Sequence, residues 1–189
     1  MLSEDDFAVL NTIYLKKMAS HATIADITSQ PVGEVSQRLK EAESLELLLN
    51  LPDGAMLLTD GTQKVIGYYM IHYADIRTQE SVLHWYENFE ILNSRFISSV
   101  TDWQKSDGDE RLERKLLQCA ERLAKDIGQL VPAIPRYAGY VRRFERSIDM
   151  VDQGKHDYVC KPTIDSVHNI WFEFHEDILA VLGRPRDTT

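Results

Sequence analysis

The stretch Ala22–Gly61, ATIADITSQPVGEVSQRLKEAESLELLLNLPDGAMLLTDG, decides the fold, because two short helical patterns, an apolar strand, an Asp-Gly turn and a second strand follow in order. The first pattern covers about Ala22 to Ile27, with Ile24 and Ile27 turned inward. Thr28-Ser29-Gln30-Pro31 makes the turn, since Ser29 is a good helix cap and Pro31 suits a first helical turn. A third helix then runs to about Ser44. Its stripe is Val32, Val35, Leu39 and Ala42, at steps of three or four, which leaves Gly33, Glu34, Ser36, Gln37, Arg38, Lys40 and Glu41 on the more exposed faces. Leu47 to Leu51 and Ala55 to Leu58 flank Pro52-Asp53-Gly54 as hairpin strands, with Gly54 free to take a positive φ.

Working outward, Ser3 caps an initial helix whose first turn holds Asp5 and Asp6, and Phe7, Leu10, Ile13 with Tyr14, and Lys17 follow at helical spacing. After the hairpin, Thr59 or Asp60 caps a helix that continues toward His72. The remainder changes character. Val82, Tyr86, Phe89, Leu92 or Asn93, Phe96, Val100 and Trp103 mark one long helix, and Leu112, Leu116, Cys119, Leu123, Ile127 and Leu130 a second. Tyr137, Val141, Phe144, Ile148 and Val151 mark a third, stopped at Gly154. The last starts near Thr163, carries Ile164, Val167, Trp171, Phe174 and Ile178, and ends at Gly183. The fold expected is mostly α: three helices plus a β-hairpin in residues 1–75, then an antiparallel helical bundle in residues 76–189.

The order of elements in the first part is that of a winged helix-turn-helix, a module that sets one helix against a partner, most often the DNA major groove. Val35-Ser36-Gln37-Arg38-Leu39-Lys40-Glu41-Ala42-Glu43 resembles the recognition-helix pattern of the MarR-like bacterial transcription regulators. Leu57-Leu58-Thr59-Asp60-Gly61 resembles the strand-to-helix exit after their wing. The resemblance covers less than half the chain and implies a transcription regulator that binds operator DNA. Glu46 stands where the family commonly has Gly, and Asp53 stands at the wing tip where it usually has Arg or Lys. No cation lies between Leu47 and Gly61.

Composition bounds the partners. The formal net charge is −9 over 189 residues, and residues 1–75 hold 5 Lys and Arg against 11 Asp and Glu, so non-specific affinity for phosphate is expected to be poor. No apolar run approaches a membrane span, and the first residues lack a signal-peptide pattern, so a cytoplasmic protein without membrane contact is expected. Cys119 and Cys160 are too few and too far apart for a disulfide framework or a four-ligand zinc site.

On the DNA reading, Gln37 and Arg38 are the base readers, while Thr28, Ser29, Gln30 and Lys40 hold phosphates. A homodimer is needed for useful affinity, and the helical segment is the place to form it. Arg136, Arg142, Arg143 and Arg146, interleaved with Tyr137, Tyr140 and Phe144, make a second cluster. Arg142 and Arg146 share a helix face and could grip an anionic effector or another subunit, although pairing with nearby acids is the plainer expectation. His168 and His175 lie along one helix near Trp171 and could serve a ligand or partner. A di-iron bundle requires paired Glu-x-x-His motifs, and the chain has none, so neither metal nor cofactor is expected. No phosphate loop or nucleophile elbow occurs, and an enzyme is not expected. The alternative to a regulator is a winged-helix interaction protein, such as an accessory subunit of a metabolic enzyme, in which Glu34, Glu41 and Asp53 repel DNA while the same face docks a protein.

Overall fold

The computed structural model describes residues 2–106 and 108–185. These are mostly helical, with one two-stranded antiparallel sheet. The chain divides into two compact units, one drawn from Met1–Arg77 with Glu176–Thr189 and the other from Thr78–His175, so the end of the last helix returns to the first unit in place of the simple division after residue 75 that the sequence suggests.

In the first unit α1 (Glu4–Lys16) starts where the Ser3 hydroxyl accepts the Asp6 amide at 3.1 Å, with three acids in its first turn. Phe7, Leu10 and Ile13 are buried as the spacing predicts. Val9, Asn11 and Thr12 are buried too, because α1 packs against α2 (His21–Thr28), α3 (Val32–Ser44), α4 (Thr59–His72) and the hairpin. Its buried Asn11 accepts the Tyr69 hydroxyl of α4 at 2.8 Å.

Several expected caps differ. Ser20 caps α2 by accepting the Thr23 amide, and Ser29 ends that helix in a left-handed conformation (φ 57°), so it does not cap α3. Pro31 occupies the α3 cap position without a side-chain bond. Val35, Leu39 and Ala42 form the buried stripe, but Val32, on the opening turn, is 52% exposed. Neither Thr59 nor Asp60 caps α4; that position is Leu58, whose amide donates to the Leu47 carbonyl.

The strands β1 (Leu48–Leu51) and β2 (Gly54–Leu57) pair with Leu48 opposite Leu57 and Leu51 opposite Gly54. Ala19, beyond α1, exchanges two backbone bonds with Ala55 and so covers the other edge of β2. Gly54 has φ +143°, and a Cβ there would meet the Ala19 carbonyl at 2.7 Å, so both conformation and space demand glycine. Gly61 is fixed by space alone, since a Cβ would lie 2.0 Å from the Leu47 oxygen. The Arg77 guanidinium binds the carbonyls of Tyr69 and Val181 and ties the end of the chain's last helix to α4.

The second unit holds α5 (Glu80–Lys105), α6 (Glu110–Gly128), α7 (Ala138–Asp152), the short α8 (Asp157–Cys160) and the start of α9 (Val167–Leu182), with α5 along α6 and α6 along α7. Asp109 caps α6 by accepting the amides of Arg111 and Leu112. Aromatic rings fill the core. Phe96 stacks on Trp171 at 3.7 Å between ring centres, and Trp85, Phe89, Tyr137 and Tyr140 pack around Phe174. Asn93 faces inward, where it accepts the Trp171 indole N–H at 2.9 Å. Both cysteines are free thiols, and burial raises the pKa of each. No described helix is long and apolar enough to cross a membrane.

Candidate functional site

On α3, Glu34, Gln37, Lys40 and Glu41 are exposed, which makes two acids, one amide and one cation. Gln37 donates to Glu41 at 3.0 Å. Arg38 turns back toward α1. Its Nη1 lies 2.6 Å from Asp6 Oδ1 and its Nη2 2.9 Å from Asp5 Oδ2, so its charge is spent inside the unit. Burial pushes the Asp6 carboxyl up, but bonds from Ser3 and Arg38 outweigh it and hold the group below the ordinary aspartate value.

Three of the four residues expected to hold phosphates are also engaged locally. The Thr28 hydroxyl donates to the Ile24 carbonyl at 2.7 Å, the Ser29 amide closes α2, and the Gln30 amide group reaches the Asp5 carbonyl. Lys40 and Gln37 remain as the exposed polar candidates on α3.

Asn50 joins three elements. Its backbone and side-chain N–H groups donate to the two Glu43 oxygens at 2.9 Å each, and its oxygen lies 3.2 Å from His21 Nε2. The carboxylate fixes the amide orientation, so His21 Nε2 is the donor; Nδ1 faces the Ser36 hydroxyl at 3.1 Å. The hydrogen bonds from Asn50 hold the Glu43 carboxyl below its usual value. The hairpin is thereby fastened to α2 and α3.

Its outward face is apolar. Leu49 and Leu51 alternate to the same side of β1, and Met56 sits opposite Leu49; they are 42%, 43% and 39% exposed. A groove of about 390 Å³ beside them is lined by Glu43, Glu46, Leu48, Leu49, Leu58, Thr59 and Asp60. Sequence reasoning missed this face because a run of leucines interrupted only by Asn50 carries no alternation to tell inside from outside. The exposed Leu45 at the end of α3 belongs to the same short segment.

In the second unit, Arg143 is buried and its guanidinium forks onto Asp165 at 2.8 and 2.6 Å, with Glu173 at 2.6 Å. Burial opposes its charge, but these carboxylates outweigh the penalty and raise its pKa. Arg146 also reaches Asp165, at 3.4 Å, while Arg142 is exposed. Arg143 is thus an internal tie between α7 and the segment before α9. His168 is half-buried beside Phe96, and burial lowers its pKa. His175 sits edge-on to Phe89 with Nε2 3.4 Å from Glu90. Among the described residues, no three His, Cys, Asp or Glu side chains group as metal ligands.

A cleft of about 740 Å³ between α5 and α6 is lined by Trp85, Phe89, Leu92, Arg95, Arg122 and Leu123 among others, and none of Arg142, Arg143, Arg146, His168 or His175 reaches it. Comparison of the chain with protein-family models, with curated proteins and with solved structures finds no match.

Proposed function

We propose that the chain is a winged-helix interaction protein whose amino-terminal module docks another protein, with the helical second unit serving self-association. In this reading α2 and α3 form the helix-turn-helix and the β1–β2 hairpin is the wing. The observation that carries it is the state of Arg38. A base reader must present its guanidinium to the groove, whereas this one is held by two carboxylates. The wing adds no cation, and Glu34 and Glu41 flank the cations of α3, so a phosphate backbone finds little to bind on α3 and the hairpin.

A second reading, an operator-binding regulator of the MarR-like kind, keeps support from Gln37 and Lys40, which are exposed on α3 where such proteins touch DNA. Capture of partners from nuclease-treated host lysate, run beside gel shifts on the adjacent promoter, separates the two. A stable protein partner without a shifted duplex favours interaction. A sequence-specific shift abolished by Gln37→Ala with Lys40→Ala favours the regulator and ends the first reading.

A further inference from the structure

We infer that the outward hairpin face of Leu49, Leu51 and Met56 is the docking surface itself, and that its occupant is a protein segment presenting apolar side chains flanked by Lys or Arg. The inference rests on the interaction reading and specifies its site and partner chemistry.

Strand addition is not the mode. One hairpin edge is covered where Ala19 pairs with Ala55, and on the other the Asn50 N–H is taken by Glu43. Each edge is thus occupied at its middle, so recognition falls to the side chains of the face. Three large apolar groups on two short strands, each about two-fifths exposed, are what a helix or loop with an apolar ridge would cover. They are also rigidly presented, because Asn50 binds the hairpin to α2 and α3. Such a surface needs no ordering before contact.

Charge selects the occupant. Asp53 stands in the turn, and Glu43, Glu46 and Asp60 line the groove that also contains Leu49. No Lys or Arg lies between Leu47 and Gly61 to offset them. Acids in the turn and along the groove at the Leu49 side of the apolar face favour a segment with cationic flanks and disfavour acidic segments and nucleic acid alike.

The test uses the full chain and two fluorescent amphipathic peptides with identical leucine faces, one with lysine and one with glutamate on the polar face, plus a mixed-sequence DNA duplex. The Leu/Lys peptide is expected to bind, the Leu/Glu peptide to bind at least about tenfold more weakly, and Leu51→Ser with Met56→Ser to weaken the first by about tenfold or more. Asp53→Lys is expected to narrow the gap between the peptides. Equal binding of the twins, no binding of the Leu/Lys peptide, or indifference to the two serine substitutions overturns the inference.

A photo-crosslinker placed at position 51 or at position 37 in host cells distinguishes this failure from that of the broader reading. Linkage through 51 to a Lys- or Arg-flanked segment supports both. A protein linked through 37 alone sinks the hairpin site and leaves the interaction reading standing, whereas tight duplex binding lost in Lys40→Ala sinks both.

Discussion

Arg38 reaches Asp6 at 2.6 Å across 32 positions of sequence, closing α3 onto the first turn of α1. Asp6 is folded with a depressed carboxyl pKa, so its stabilising contribution is complete above its ordinary value of 3.8 and is lost as pH falls through the lower folded value. Asp6→Asn is expected to cost about 0.5–1 kcal/mol at neutral pH, because the pair is only partly shielded. Urea unfolding across the acid range should find the gap to wild type closing. Asp5→Asn with Asp6→Asn also releases one cation, so the dependence of duplex binding on salt should steepen by about one phosphate contact. An unchanged slope would show that Arg38 is no less available in the native chain.

The Glu43 clasp on Asn50 makes a different forecast. Its carboxyl is likewise depressed, here from 4.5, so the clasp is intact above that value and opens as pH falls below it. Asn50→Ala keeps the backbone bond to Glu43 but removes the side-chain bonds to Glu43 and His21, and it is expected to lower the urea midpoint. Glu43→Ala leaves the Asn50 N–H open on a strand edge, and sedimentation should then report association beyond that of wild type. Identical sedimentation of the two proteins would deny the carboxylate its role as an edge cover.

What could be read without coordinates follows the range of the forces involved. Phe7, Leu10 and Ile13, or Val35, Leu39 and Ala42, repeat at the helical period, so local sequence suffices to place them inside. Pro52-Asp53-Gly54 marks its turn by backbone restriction alone. Ser29 defeats the same approach, because a serine between two helices can end one or start the other, and only the left-handed φ decides. Arg38 is visible as a cation but not as an occupied one, and for Arg143 pairing is expected but its partners are not legible, since Asp5, Asp6, Asp165 and Glu173 come from other parts of the chain. The Ala19 bridge is silent for a related reason: a single extended residue has no period.

Glu46 leaves α3 with φ 57°, in the left-handed region where a side chain with a Cβ is strained by roughly 1 kcal/mol. Glycine relieves the strain at some cost in unfolded-state entropy, and Glu46→Gly is expected to gain about 0.5–1 kcal/mol in thermal or urea unfolding. Glu46→Ala removes the same charge and keeps the Cβ. It should give little of that gain, and equal gains from the two would assign the effect to charge instead.

Arg143 is the costliest side chain to lose among those considered. Its fork neutralises Asp165 and Glu173 at 2.6 Å each, and Glu173 is itself buried. Arg143→Met leaves the buried Glu173 without this cation and Asp165 with only the 3.4 Å contact to Arg146, with an expected loss of about 3–5 kcal/mol. Arg143→Lys keeps the charge but cannot make the two parallel bonds, so its loss should fall between Met and wild type. A double variant separates this from a simple packing defect. Arg143→Met with Glu173→Gln keeps the altered bulk but removes the buried charge left without its partner, so it should recover part of the loss. No recovery would mean that Arg143 acts through its bulk and its contact with the Tyr140 ring, 5.4 Å away, and not through the charge it places between the carboxylates.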